Sequence, residues 1–323
     1  MDDRLSAPYH TFTPPGIKNL GETCYMSVAL QVLLGIDEVL DMCLTKHSSE
    51  TCSMASQSGF CAVCAMQPLA FAMIGPGIVA PKQFANIVKC SGLPLSEHRQ
   101  NDAEEFLMFV LQQMHLSMSA TTAMLSVLTT YLDSGVRTRY RIYVRQAPTL
   151  QQGIVCTQAQ EKLNESTCAN CSSTHSMARQ SLLHEPPHIL ALQLVRFENA
   201  GKKIRNLVQY SDTMNVQFGP LQNAPVSFHL FAVVCHHGAS MDSGHYSCYI
   251  RRGERWYHVD DERVKLCEPP INVSDVYLLL YTQNLAAEGL WYPNVDDAGQ
   301  SGAPGIILPA RRLDSTRYTP VIT

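Results

Sequence analysis

No uninterrupted run of about eighteen apolar residues occurs in this 323-residue chain, so no segment reads as a membrane span. Charge of one sign is also lacking. The 24 Lys and Arg nearly balance the 28 Asp and Glu, leaving a net −4, and nothing calls for nucleic acid or an anionic membrane as partner. The opening MDDRLSAPYHTFTPPG is acidic and polar, without the basic-then-apolar order of a secretory signal. Internal repeats are absent. The twelve cysteines form no regular framework beyond two C-x-x-C pairs, Cys61/Cys64 and Cys168/Cys171. Without a signal or a disulfide framework, the expected compartment is reducing, cytoplasmic or nuclear. Most of the thiols are then ordinary buried side chains.

Periodicity divides the rest. Residues 1–15, with Pro8, Pro14 and Pro15, read as an extended arm. From Thr23 the apolar residues Met26, Leu30, Leu33 and Leu34 recur at helical spacing, and Gly35 marks the end. A second helix is expected from about Phe60 to Ile74. A third is expected to be capped by Asn101, with Glu104 three residues on and an apolar face of Phe106, Leu107, Val110, Leu111 and Met114. Beyond about residue 124 the pattern turns to strands: RTRYRIYV, HILALQLVRF, SFHLFAVVCHHG, GHYSCYI, ERWYHVDD and VYLLLYTQ, with a hairpin turn at Arg252-Gly253-Glu254. The fold class is therefore α+β, with a helical front half and a β-rich back half. Residues 285–323, poor in periodicity, read as a tail.

One constellation carries chemistry. Cys24 follows Asn19-Leu-Gly-Glu-Thr and falls in the first turn of the first helix, where the dipole and free N–H groups favour a thiolate. Gly21 lets backbone approach a ligand, and the Asn19 amide with the Cys24 backbone N–H can form an oxyanion hole. His245 begins the GHYSCYI strand. The hairpin brings Asp260, at the end of the partner strand, close to it. An acid on one ring nitrogen fixes the tautomer and frees the other nitrogen to act on a thiol. Taken alone, each of these residues is more often structural; together they form a set for nucleophilic catalysis.

Four segments resemble, in order, the boxes of the ubiquitin-specific proteases, the papain-like deubiquitinating enzymes. They are GIKNLGETCYMSVALQ, RQNDAEEFLMFVL, LHEPPHILALQLVRF and FAVVCHHGASMDSGHYSCYI…WYHVDDERV…VYLLLYTQ, and they run from about Gly16 to Tyr281. The resemblance implies a papain-like fold over residues 16–284, with a helical thumb holding Cys24, a β palm holding His245 and Asp260, and β fingers, here shortened. It implies ubiquitin and ubiquitinated proteins as partners. Cys24 takes the nucleophile position, His245 the general base, Asp260 the third member with Asp261 beside it, and Asn19 the oxyanion position. Ubiquitin's tail ends in Gly-Gly, which suits a channel too narrow for side chains, and Gly238, Gly244 and Tyr246 are the expected walls. Asp102 and Glu105 are expected either to pair with the tail's arginines or simply to complement a helix dipole.

The pattern also departs from the family. Asn101 and Glu104 stand where glutamine is usual, Glu22 replaces an asparagine, and Val195 replaces a lysine. The zinc site of the fingers needs two C-x-x-C pairs. Cys168 and Cys171 match the second, but residues 131–134 read YLDS where the first should lie. Cys61/Cys64 belongs to an earlier helix. Cys156 or His175 offers at best a replacement ligand, so no cofactor and no stoichiometric zinc is expected. Rival readings are a catalytically inactive scaffold of the same fold, a protease for another modifier ending in Gly-Gly, and a metal-binding module.

Overall fold

The computed structural model describes residues 13–47, 52, 61–75, 77–90, 100–118, 139–144, 147–162, 166–167, 172, 174–175, 178–179, 186–197, 202–219, 224–240, 243–271 and 273–283. The arm up to residue 12, the tail at 285–323, residues 131–134 and the Cys168/Cys171 pair lie outside the described residues.

The N-terminal half is helical. A short strand β1 (Gly16–Ile17) leads into α1 (Cys24–Leu33), then α2 (Asp37–Asp41), which continues into a five-residue π turn, Met42–Lys46. There follow α3 (Ala62–Ala72), β2 (Ile78–Val79), α4 (Lys82–Cys90) and α5 (Ala103–Met118). All ten residues of α1 are buried, not only the expected face, because it packs between α5 and the sheet. No acid stands in its first turn and no side chain caps it. Its stability comes from burial, at about 1.5–3 kcal/mol for each fully buried Leu, Val or Met. Its N-terminal N–H groups are left to whatever anion Cys24 presents. Buried Gln31 on α1 donates to the Pro15 carbonyl at 2.6 Å and anchors the incoming chain. The cap of α5 is Asp102, not Asn101: its Oδ1 accepts from the N–H of Glu104 (2.7 Å) and of Glu105 (3.2 Å). A carboxylate one residue later reaches both orphan donors.

The back half is one twisted sheet. Its strands are β3 (Arg139–Tyr143), β8 (Ile189–Val195), β9 (Thr213–Val216), β10 (Val226–His237), β11 (His245–Arg252), β12 (Arg255–Asp260), β13 (Arg263–Cys267) and β14 (Val276–Gln283). They are ordered β13-β12-β11-β10-β14-β8-β3, with β9 on β10; all pairs are antiparallel except β3 with β8. Helix α6 (Leu150–Gln158) packs on β3. In the finger region the described strands pair as two ladders of two residues a side, β4 (Glu161–Lys162) with β7 (Ala178–Arg179) and β5 (Ser166–Thr167) with β6 (Thr174–His175).

Both faces of the sheet are covered, which explains why β8 and β14 read as nearly continuous apolar runs. Ile189, Ala191, Leu278 and Leu280 face the helices, while Leu190, Leu192, Leu279 and Tyr281 face the second cluster with Leu150, Ile154 and Phe228. The catalytic candidates sit on the edge of the helical face, where the N-terminus of α1 meets the ends of β11 and β12.

Candidate active site

The site begins with a turn. Gly21 (φ +99°) and Glu22 (φ 52°) are both left-handed, and the Asn19 Oδ1 gathers that turn by accepting from the N–H of Gly21 (3.0 Å), the N–H of Thr23 (3.2 Å) and the Thr23 hydroxyl (3.2 Å). Glu22 is exposed. Cys24 then opens α1 and is buried. Before the turn, Ile17 donates its N–H to the Asp261 carbonyl at 2.9 Å, so the chain leading to Cys24 runs beside the β12–β13 turn. Gly16 is required there: a Cβ would come within 2.4 Å of the Glu262 carbonyl oxygen.

The hairpin does what its sequence predicts. Arg252 pairs with Arg255 and Cys248 with Val259, which sets Asp260 diagonal to His245 on one face. His245 Nε2 and Asp260 Oδ1 are 2.5 Å apart. The other ring nitrogen is left for the Cys24 thiol, with which His245 is hydrogen-bonded. Burial of Cys24 opposes its thiolate. The hydrogen bonds from His245, from the Tyr246 backbone N–H and from the Gln100 amide outweigh it, and the thiol is lowered from its ordinary range. His245 is raised to about 9, chiefly by the Cys24 sulfur and then by Asp260, against the pull of burial. The two shifts act in the same sense: both favour the thiolate–imidazolium form of the pair. By contrast, burial pushes Cys43 and Cys235 up to about 12. What separates Cys24 from these two thiols is its donors.

Asp261 takes a different post from its neighbour. It lies in a left-handed turn (φ 50°), and its Oδ2 accepts one amide hydrogen of Asn19 at 2.8 Å. A primary amide has two, so one N–H of Asn19 remains.

The expected substrate contacts are only partly assembled. Asp102 spends Oδ1 on the α5 cap and accepts the Tyr277 hydroxyl on Oδ2. Glu105, on the first turn of α5, is exposed. The Tyr246 side chain is 1% exposed and packs against the rings of His236 (4.7 Å) and Tyr277 (6.0 Å). Gly238 and Gly244 close on the same His236 ring. The sequence reading missed Gln100 and His236. Gln100 donates from Nε2 to the Cys24 Sγ at 3.2 Å, and its Oε1 lies 3.2 Å from His236 Nε2. The available signals were a glutamine two residues before the α5 cap and strand parity, which turns His236 of the CHHG pair inward and His237 outward.

A second cluster lies apart from these residues. His47, Cys52, Cys61 and Cys64 bring their donor atoms within 4.8 Å of one another. His47 Nε2 is 2.9 Å from the Cys64 Sγ and 3.5 Å from the Cys61 Sγ. Cys61 is the N-cap of α3 and accepts the Cys64 N–H. The C-x-x-C pair assigned above to an earlier helix, outside the expected zinc site, thus has two partners from the preceding segment. Three cysteines and a histidine fit the donor set of a closed tetrahedral zinc site.

The sequence pattern of the family described as ubiquitin carboxyl-terminal hydrolase matches residues 15–281. A mouse protein, ubiquitin carboxyl-terminal hydrolase 17-like protein A, is 28% identical over 304 residues, covering 83% of this chain and 56% of its own. Ubiquitin carboxyl-terminal hydrolase 23 of Arabidopsis thaliana is 26% identical over 308 residues, covering 83% and 35%. The chain thus spans only part of the length of these relatives. Among solved structures, the yeast SAGA DUB module with an Sgf73 mutant superposes with a TM-score of 0.66 at 20% identity, over 84% of this chain and 68% of that one. The SAGA Ubp8/Sgf11/Sus1/Sgf73 DUB module bound to ubiquitin aldehyde gives 0.65 at 20%, over 84% and 69%. The likeness extends the α+β fold to that of these modules, and the matched pattern covers most of the sequence: the chain belongs to the ubiquitin carboxyl-terminal hydrolase family.

Proposed function

We propose that the chain is a thiol-dependent deubiquitinase, hydrolysing the isopeptide bond after the Gly-Gly tail of ubiquitin on ubiquitinated proteins. The observation that carries this is the line Cys24–His245–Asp260, with a lowered thiol at a helix N-terminus and a raised imidazole against a carboxylate. The Cys24 thiolate attacks the terminal glycine carbonyl. The remaining Asn19 N–H and the Cys24 backbone N–H hold the oxyanion. His245 gives its proton to the departing lysine amine, and water then hydrolyses the thioester. Asp260 keeps the ring oriented and stabilises its cation. Gly238 and Gly244 border the approach of the tail, and exposed Glu105 is the carboxylate open to its arginines. A cytoplasmic or nuclear setting suits a working thiolate and the free thiols of the described residues.

The test is a panel of ubiquitin-like modifiers carrying C-terminal electrophiles. Ubiquitin should label the chain, and Cys24→Ala should abolish labelling. Preference for another modifier would change the substrate; persistent labelling of Cys24→Ala would remove the nucleophile. Labelling without turnover would favour the scaffold reading.

We propose further that His47, Cys52, Cys61 and Cys64 hold a structural zinc. The gathering of these four donors supports it. The ion would cross-link the segment after the π turn to the start of α3 and would contribute folding energy, not chemistry.

A further inference from the structure

An amide side chain beside a thiolate has a right and a wrong way round. Gln100 helps Cys24 only if its NH2 faces the sulfur; flipped, it sets carbonyl lone pairs against a negative charge. Its other end decides the matter, and that end meets His236 Nε2 at 3.2 Å. A carbonyl oxygen there requires an N–H on Nε2, which in a neutral imidazole leaves Nδ1 bare. Nδ1 is buried and has no hydrogen-bond partner among the described residues.

The surroundings hold this ring in place and keep it neutral. His236 is 1% exposed, with Tyr246 edge-on at 4.7 Å and Phe197 at 5.5 Å. Two glycines make room for it. A Cβ on Gly244 would come within 2.7 Å of Nε2, and one on Gly238 within 3.2 Å of Cε1. The charged and titratable groups about it are Lys203, His237, Asp275 and His245. The Lys203 ammonium binds the His236 carbonyl and pairs with Asp275 at 2.6 Å. Burial, then Lys203, pushes the ring down to about 4. His236 therefore stays uncharged while Cys24 and His245 exchange a proton beside it.

The geometry points to His236 as a positioning residue that fixes the Gln100 amide so that its N–H stabilises the Cys24 thiolate. It makes no contact with substrate in this role. The inference rests on Cys24 being the reactive thiol, but its test needs no ubiquitin cleavage, so failure of the deubiquitinase reading and failure of this one are distinguishable.

The test is the pH profile of Cys24 alkylation by iodoacetamide, followed by mass spectrometry. Gln100→Leu should raise the midpoint by about one pH unit, a tenfold loss of thiolate at a given pH below the midpoint. His236→Leu should raise it by a similar amount. His236→Gln, whose side-chain amide N–H reaches the place of the imidazole Nε2–H, should restore it. In the Gln100→Leu background, His236→Leu should add little. An unshifted profile in His236→Leu, or no rescue by His236→Gln, overturns the proposal. A reading free of mutation is available from 15N NMR of histidine-labelled protein. His236 should be the Nε2–H tautomer and neutral down to about pH 5. An Nδ1–H tautomer would mean that the amide is flipped and the proposal wrong.

Discussion

Asn19 and Asp261, 242 residues apart in sequence, are joined by a 2.8 Å hydrogen bond from the amide to a carboxylate oxygen. The adjacent Asp260 is bonded to His245 instead. Two neighbouring acids thus serve the two halves of one site, because the chain turns left-handed at Asp261 and sends their carboxylates apart.

The two acids should separate in mutants. Asp260→Ala should lower kcat roughly 10²–10⁴-fold, through the orientation and stabilisation of His245. Asp261→Ala should act through Asn19. In an Asn19→Ala background, itself lower by roughly 10²–10³-fold, it should add little. Double-mutant kinetics with a fluorogenic ubiquitin substrate decides; additive losses would mean that Asp261 works independently of Asn19.

The thiol and imidazole shifts give a pH window. The Cys24 thiol is lowered, so thiolate persists below the ordinary thiol range. His245 is raised to about 9, so the proton it must donate is lost as pH rises through that value. Turnover should fall on the alkaline side near 9 and on the acid side below the ordinary thiol range. His245→Ala should move the alkylation midpoint of Cys24 upward, since it removes the principal donor to the sulfur. The pH–rate profile of alkylation in the two proteins checks this, and coincident midpoints would refute the ion pair.

Metal analysis of protein purified without chelators should find one zinc per chain. Its removal should lower the melting temperature, as should Cys52→Ser, because the four donors tie separate segments together. Zinc content near zero in a fully folded protein would show that the cluster is held as thiols and imidazole.

Gly244→Ala should destabilise although the position is exposed. Its Cβ would meet the His237 carbonyl oxygen at 2.5 Å and the His236 ring at 2.7 Å, an overpacking of about 1–3 kcal/mol. Chemical denaturation measures it. An unchanged midpoint would show that the start of β11 yields freely.

Much of this was legible in the chain. The start of α1 at Cys24, the hairpin at Arg252–Arg255 and the strand segments β3, β8, β10, β11, β12 and β14 follow from local pattern, which is carried by neighbours in sequence; their order in the sheet does not. Helices α4 and α6 were not foreseen: they are short, and α4 is weakly apolar overall. The Asp102 cap was misplaced by one residue because Asn101 and Asp102 are both good caps, and only the fold chooses. The His47–Cys52–Cys61–Cys64 cluster follows no regular spacing; its closure depends on the path between the π turn and α3. The role of Gln100 rests on contacts with Cys24 and His236, 76 and 136 residues away, which no local pattern carries, and His236 is masked by an adjacent histidine that faces solvent.

The site is also divided in time. Cys24 leaves the ribosome about 220 residues before His245 and Asp260, a delay of roughly 10–45 s at ordinary rates of synthesis. During that interval the donors on β11 do not exist, and the nucleophile is a plain thiol on an unfinished chain. A nascent copy therefore has no imidazole–carboxylate pair beside Cys24 until β11 and β12 have been made.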